Sequence, residues 1–213
     1  MAPEAAVCED VEPKARTRAN HSGMSKIIVL MGAPGAGKGT QARLLQERLH
    51  LPQISTGDIF RALKHAQTPL AQEVREIMER GQLVPDELTI RLVKERTARD
   101  DCKNGYILDG FPRTLPQSDA LDEMLADIGK PLDAILFFQI GDEAATERLL
   151  GRAHEEGRSD DTPEVIARRL EIYHQQTEPV VEHYRLTGKL VPLHAERSVN
   201  EVWAEVQAAL ERL

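Results

Sequence analysis

Apolar residues along this chain follow two periods in alternation. Predominantly apolar runs of strand length occur at residues 26–31, 105–109 and 134–140, the second ending in Asp109. Runs of this kind suit strands buried on both faces of a parallel sheet. Residues 50–55, suggesting a short strand, and 190–193 are further candidates, the latter carrying Pro192, which a ladder tolerates at a sheet edge. Between them apolar residues recur at helical spacing. A helix over 41–49 places Leu45 and Leu49 on one side. Ser55-Thr56-Gly57-Asp58 has capping-box spacing, with Asp in place of Glu, and opens a helix through Ile59, Phe60 and Leu63. Thr68-Pro69 and Thr162-Pro163 each pair a capping threonine with a first-turn proline. The first of these helices runs through Leu70, Val74, Ile77 and Met78 and stops at Gly81. Further helices carry Leu88, Leu92 and Val93, span 116–128, pass through Leu149 and Leu150, and run over 199–210 with Trp203 as a packing residue. Pro179 should divide the helix that Thr162 opens. The polar stretch 151–161 reads as a mobile loop. Alternating strands and helices predict an α/β fold: a parallel sheet of about five strands with helices on both faces, ligands lying at the carboxyl ends of the strands.

Composition narrows the function. A chain of 213 residues suits one such domain with small insertions. Its net charge of −8 disfavours general nucleic-acid binding, so any phosphate site must gather cations locally. No apolar run approaches membrane-spanning length. Two cysteines, Cys8 and Cys102, allow no disulfide framework or zinc quartet, and a reducing, cytoplasmic setting is expected. Residues 1–25 lack apolar periodicity, a signal-peptide centre and the acid-poor character of a transit peptide, so a disordered extension is expected. Met24, just before the first strand, is a candidate translation start.

The candidate chemistry begins at Gly32-Ala33-Pro34-Gly35-Ala36-Gly37-Lys38-Gly39-Thr40, set between a strand and a helix. In that context glycines let backbone N–H groups curl round a phosphate, the helix N-terminus adds positive charge, and Lys38 reaches the terminal phosphates. Gly39 separates the lysine from Thr40, displacing by one residue the hydroxyl that commonly meets Mg²⁺. Asp109 ends a strand, where a carboxylate holds Mg²⁺ through water beside a phosphate loop; its plainer role is to cap the next turn. Arg113 follows in a loop at the same sheet end. Arg169 falls within the buried stripe marked by Ile166, Leu170 and Tyr173, so it faces a ligand or a buried carboxylate. Arg152 and Arg158 read equally as loop charges or phosphate ligands. The histidines show no metal-ligand spacing, and no zinc is expected.

Taken together, the phosphate loop, Ser55-Thr56-Gly57-Asp58, Gly81-Gln82-Leu83-Val84-Pro85, Asp109-Gly110-Phe111-Pro112-Arg113-Thr114 and Gly157-Arg158-Ser159-Asp160-Asp161 resemble the adenylate kinase family over nearly all of residues 26–213. In that family Gly39-Thr40 is the normal form. The resemblance implies a core that binds ATP, a nucleotide-monophosphate insertion near 55–84, and a lid near 151–161. It implies that Gly35, Ala36, Gly37, Lys38, Gly39 and Thr40 cradle ATP, with Arg152 from the lid and Arg197 near adenine. It places AMP among Thr56, Arg61, Gln82, Leu83, Val84, Gly110, Phe111, Pro112, Arg113 and Gln117. Lys38, Arg113, Arg152, Arg158 and Arg169 become the catalytic cations, the last two also gripping AMP. Mg²⁺ with ATP is the implied cofactor, and the short cysteine-free lid implies the zinc-free form. No long exposed apolar repeat suggests an obligate partner, so a monomer is the default expectation.

A UMP/CMP kinase is the nearest alternative. Thr56 and Gln117 favour AMP, since a glutamine amide both donates to and accepts from adenine's edge. A guanine-nucleotide switch would need an Asn-Lys-x-Asp segment, which the chain lacks.

Overall fold

The computed structural model describes residues 26–63, 66–156 and 161–212. The amino-terminal extension and Arg158 lie outside the described residues. Five parallel strands form one sheet in the order β2-β3-β1-β4-β5, namely β1 (Lys26–Gly32), β2 (Gln53–Ser55), β3 (Gly105–Asp109), β4 (Ala134–Gln139) and β5 (Leu190–His194). β1 lies at the centre, and every residue from Ile27 to Gly32 is buried, as its unbroken apolar run requires. Pro192 sits on β5, which pairs only with β4, so its missing N–H faces the open edge.

Alternate residues of each strand feed opposite cores. Ile27, Val29 and Met31 join Tyr106, Leu108, Ile135 and Phe137 on one face. That face is covered by α4 (Asp86–Thr97), α5 (Leu115–Asp127) and α8 (Glu178–Arg185) through Val93, Leu121, Val181 and Tyr184. Ile28, Leu30, Ile107 and Leu136 build the other face beneath α1 (Lys38–Leu49) and α9 (Val199–Leu210), with Trp203 packed at its rim. This is the doubly covered sheet that alternation predicts.

Two smaller clusters flank the strand ends. The helices α2 (Thr56–Leu63) and α3 (Pro69–Glu79) pack with the start of α4 around Phe60, Val74 and Val84. The helices α6 (Asp142–Glu156) and α7 (Pro163–Ile172) pack around Ala145, Leu149, Ile166 and Leu170 beneath Ala33. The threonine caps form as expected: Thr68 accepts from Ala71 N–H and Thr162 from Val165 N–H. Three boundaries differ from the sequence expectation. α1 begins at Lys38 rather than at residue 41, because Gly37 in the left-handed region turns the chain directly into the helix. Residues 151–156 continue α6 rather than forming a loop, since Leu149 buries and anchors the preceding turn. Between α7 and α8 a π-helical turn, Tyr173–Thr177, absorbs the break before Pro179.

Candidate functional site

A cleft of about 440 Å³ opens at the carboxyl ends of β1, β2 and β3. The loop after β1 forms its floor. Gly35 has φ +85° there, and a Cβ would fall 2.6 Å from the carbonyl oxygen of Ala145, so the loop lies against α6 at a distance only glycine permits. Lys38 Nζ donates to the carbonyls of Gly32 and Ala33, 2.8 Å each, folding the ammonium over its own loop. Burial pushes the Lys38 pKa down to about 8. Asp109 opposes that shift, while Arg113, Arg169 and Arg152 add to it. Four charges from three segments of the chain therefore act on one ammonium.

Arg113 reaches the cleft from the loop between β3 and α5. Its Nε donates to Gly110 O at 2.9 Å, its N–H to Gln117 Oε1 at 2.8 Å, and its carbonyl accepts from Thr177 Oγ1 at 3.0 Å. Burial, then the neighbouring Arg169, lowers its pKa to about 10, so it stays charged at neutral pH. On the opposite wall Arg152 forms a fork with Asp161, Nε to Oδ2 at 2.8 Å and Nη2 to Oδ1 at 2.9 Å. Arg169 Nη1 meets the same carboxylate at 2.5 Å, and the Asp161 side chain is fully buried. Arg169 thus holds a buried carboxylate, one of the two partners its stripe position allowed, and also lines the cleft. Arg168 points outward to Glu171.

The structure gathers most of the expected residues and separates a few. Gly35, Gly37, Lys38, Gly39, Thr40, Thr56, Arg61, Gln82, Leu83 and Val84 line the cleft, as do Gly110, Pro112, Arg113, Gln117, Arg152 and Arg169. The side chains of Ala36 and Phe111 do not; both are buried in the cores on either side of the sheet, leaving only their backbone near the site. Arg197 also stands outside the lining, exposed and paired with Glu205 at 2.7 Å, because β5 and the start of α9 turn it toward its own helix. Three participants went unread. Arg43 and Arg148 line the cleft, and Asp161 organises two of its arginines. The four-residue spacing of Arg148 and Arg152 would have shown one helical face had 151–156 been read as helix. Nothing along the chain signals that Asp161, just before a helix cap, turns inward.

Asp109 offers one carboxylate beside the first turn of α1. Its Oδ2 accepts from Gln53 Nε2 at 3.1 Å and lies 3.9 Å from where a Gly39 Cβ would stand. Among the described residues no group of three His, Cys, Asp or Glu side chains could hold a metal ion. One carboxylate and the Thr40 hydroxyl, which line the same cleft, fit a hard cation that arrives on phosphate oxygens and keeps its water.

A parallel sheet whose central strand runs into a phosphate loop, under a cleft walled by arginines, defines a P-loop protein built to hold phosphorylated ligands. The family model described as adenylate kinase matches residues 30–189. An adenylate kinase of Cyanothece sp. is 47% identical over 87% of this chain and 95% of its own length. That of Bifidobacterium longum is 46% identical over 86% and 99%. That of Ruminiclostridium cellulolyticum is 42% identical over 86% and 98%, in an alignment lengthened by insertions to 210 positions. The chain belongs to the adenylate kinase family. No helix among the described residues is long and apolar enough to cross a membrane.

Proposed function

We propose that this protein is an adenylate kinase: it moves the γ-phosphoryl group of Mg-ATP to a phosphate oxygen of AMP, giving two ADP, and so serves adenine-nucleotide balance. One observation carries the reading. Lys38, Arg113, Arg152 and Arg169 converge on one cleft, where burial and the neighbouring guanidinium groups lower the pKa of Lys38 and of Arg113, an arrangement that calls for a polyanion. Phosphoryl transfer spreads negative charge over equatorial oxygens, and fixed cations are what lower its barrier.

In this reading the loop from Gly35 to Thr40 cradles ATP on the helix dipole, and Lys38 exchanges its carbonyl partners for phosphate oxygens. Arg152 and Arg169, held by Asp161, flank the transferring group, and Arg158 joins them. AMP sits against Thr56, Arg61, Val84 and Gln117, in an insertion spanning 55–84 that has its own small core. Residues 151–161 form the short, zinc-free lid, which excludes water so that AMP and not water accepts the phosphoryl group. Asp109 and Thr40 would hold Mg²⁺ through water; when bound, the ion offsets charge on the phosphate oxygens. A cytoplasmic monomer completes the proposal.

Incubation with Mg-ATP and AMP, CMP or UMP tests it by the ADP formed. AMP-dependent ADP production is expected. Preference for CMP or UMP would move the assignment to a pyrimidine nucleotide kinase, and no turnover with any acceptor would remove it.

A further inference from the structure

Gln117 is 2% exposed and lines the cleft, and its amide is held at both ends. Its Oε1 accepts the backbone N–H of Arg113 at 2.8 Å, and its Nε2 donates to Asp86 Oδ1 at 2.7 Å. Its backbone is fixed as well, the N–H donating to Thr114 Oγ1 at the cap of α5. The orientation of such an amide is ordinarily ambiguous. Here the partners settle it, because a backbone N–H only donates and a carboxylate only accepts. Rotating the amide by half a turn would set N–H against N–H at Arg113 and oxygen against oxygen at Asp86.

A primary amide has two N–H groups and two oxygen lone pairs. With one of each spent on the protein, one N–H and one lone pair remain in a fixed order. Adenine presents an acceptor at N1 beside a donor at N6. A 6-oxopurine presents a donor at N1 beside an acceptor at O6, the reverse order. An amide free to turn serves both bases; an amide locked at both ends serves one. Asp86 stands at the first turn of α4, where nothing in the sequence pattern marks it as part of a base site.

We infer that Asp86 is a specificity-determining positioning residue, which fixes the orientation of the Gln117 amide and so sets the acceptor site for a 6-aminopurine over a 6-oxopurine. The inference rests on the proposal that AMP binds beside Gln117. Its two locks differ in kind. The Arg113 N–H is backbone and present in any variant, whereas the Asp86 carboxylate is a side chain that can be removed. The reaction itself touches neither, so the effect belongs in acceptor binding rather than in phosphoryl transfer.

The experiment measures kcat and KM with AMP and with inosine monophosphate for the full-length protein, Asp86→Asn and Asp86→Ala. Wild type should favour AMP. In Asp86→Ala the AMP-to-IMP ratio of kcat/KM should fall about tenfold, the size of one lost polar contact in base discrimination, mainly through a raised KM for AMP. Asp86→Asn keeps an acceptor oxygen and should retain the ratio within about threefold. A ratio in Asp86→Ala within about twofold of wild type would overturn the inference, as would an Asp86→Asn loss equal to that of alanine. The Gln117 side-chain amide resonances of the wild-type protein give a second readout that needs no variant. Slow exchange of one amide proton is expected, and two rapidly exchanging protons would also overturn it. Wild-type turnover without AMP preference over CMP and UMP would instead overturn the adenylate kinase reading, so the two failures are distinct.

Discussion

Gly110 shows how closely single residues are set in this cleft. It adopts φ +80°, and a Cβ there would lie 2.7 Å from Arg113 Nη2 and 2.8 Å from Thr56 Oγ1. Neither neighbour can simply step aside, because Arg113 Nε and Thr56 Oγ1 both donate to the Gly110 carbonyl, at 2.9 and 2.8 Å. Arg113→Ala removes a fixed charge donor and should lower kcat by about a hundredfold or more. Gly110→Ala should approach that loss by displacing the same guanidinium. Because both act on one group, the double variant should lose far less than the product of the single effects, and steady-state kinetics of the three variants checks this. Lys38 carries a second prediction. Its free pKa is about 8, and phosphate oxygens in place of carbonyls must raise it. Binding of ATP near pH 9 should therefore take up close to one proton, with uptake vanishing well below pH 8, and affinity should weaken as pH rises through that range. Calorimetry in buffers of different ionisation enthalpy reads the proton directly; uptake that does not vary with pH would refute it. At this scale, Lys38 and Arg113 were legible because each sits in a motif with a mechanism. For Phe111 the motif marks a position along the chain, while the direction of its side chain is set by the core beneath it, which leaves its backbone at the cleft.

At the scale of elements, helix caps and buried strands could be read because their causes are local. The π-helical turn could not, since it answers to contacts from three directions. Thr177 holds the carbonyl of Arg113, Tyr173 packs beneath the phosphate loop cluster, and His174 bridges to α6. His174 Nε2 lies 2.9 Å from Asp142 Oδ2, and Nδ1 lies 3.2 Å from Glu178 Oε2. The hydrogen bond with Asp142, and then that with Glu178, raises its pKa above the ordinary value. A raised folded pKa means the stabilising contribution is complete below the unfolded value of about 6.5 and is lost as pH rises through the higher folded value. All three side chains are 40–55% exposed, so the contribution is held to about 0.5 kcal/mol. Thermal melts of wild type and His174→Gln should differ by one or two degrees near pH 6, and the gap should close by about pH 8.5. A gap constant across that range would mean His174 acts by packing alone. The helical continuation over residues 151–156 escaped the sequence for a related reason. Its polar composition resembles a loop, and only Leu149 and the Arg152–Asp161 fork commit it to helix.

The whole molecule is acidic and its cleft is not, so their electrostatic effects on ligands oppose each other. Arg43, Arg61 and Arg148 join Lys38, Arg113, Arg152 and Arg169 in the lining, against the carboxylates of Asp58, Asp109 and Glu155. The chain as a whole carries −8. If the overall charge governed encounter, salt would screen repulsion and help nucleotides bind. If the cleft governs it, salt must weaken binding, because low-dielectric walls focus the local field and a Debye length of about 8 Å at physiological ionic strength hides the distant acids first. The second outcome is expected: kcat/KM for both nucleotides should fall several-fold as added KCl rises from about 0.02 to 0.5 M with Mg²⁺ held in excess. The effect should be blunted in Arg43→Ala, whose side chain sits on the same helical face as Gly39 and Thr40. A rise in kcat/KM with salt would show that the acidic exterior dominates. Composition alone required this local inversion of charge if phosphates were to bind. It could not say which arginines supply it, since the parallel sheet brings β1, β3, α6 and α7 to one end only after folding.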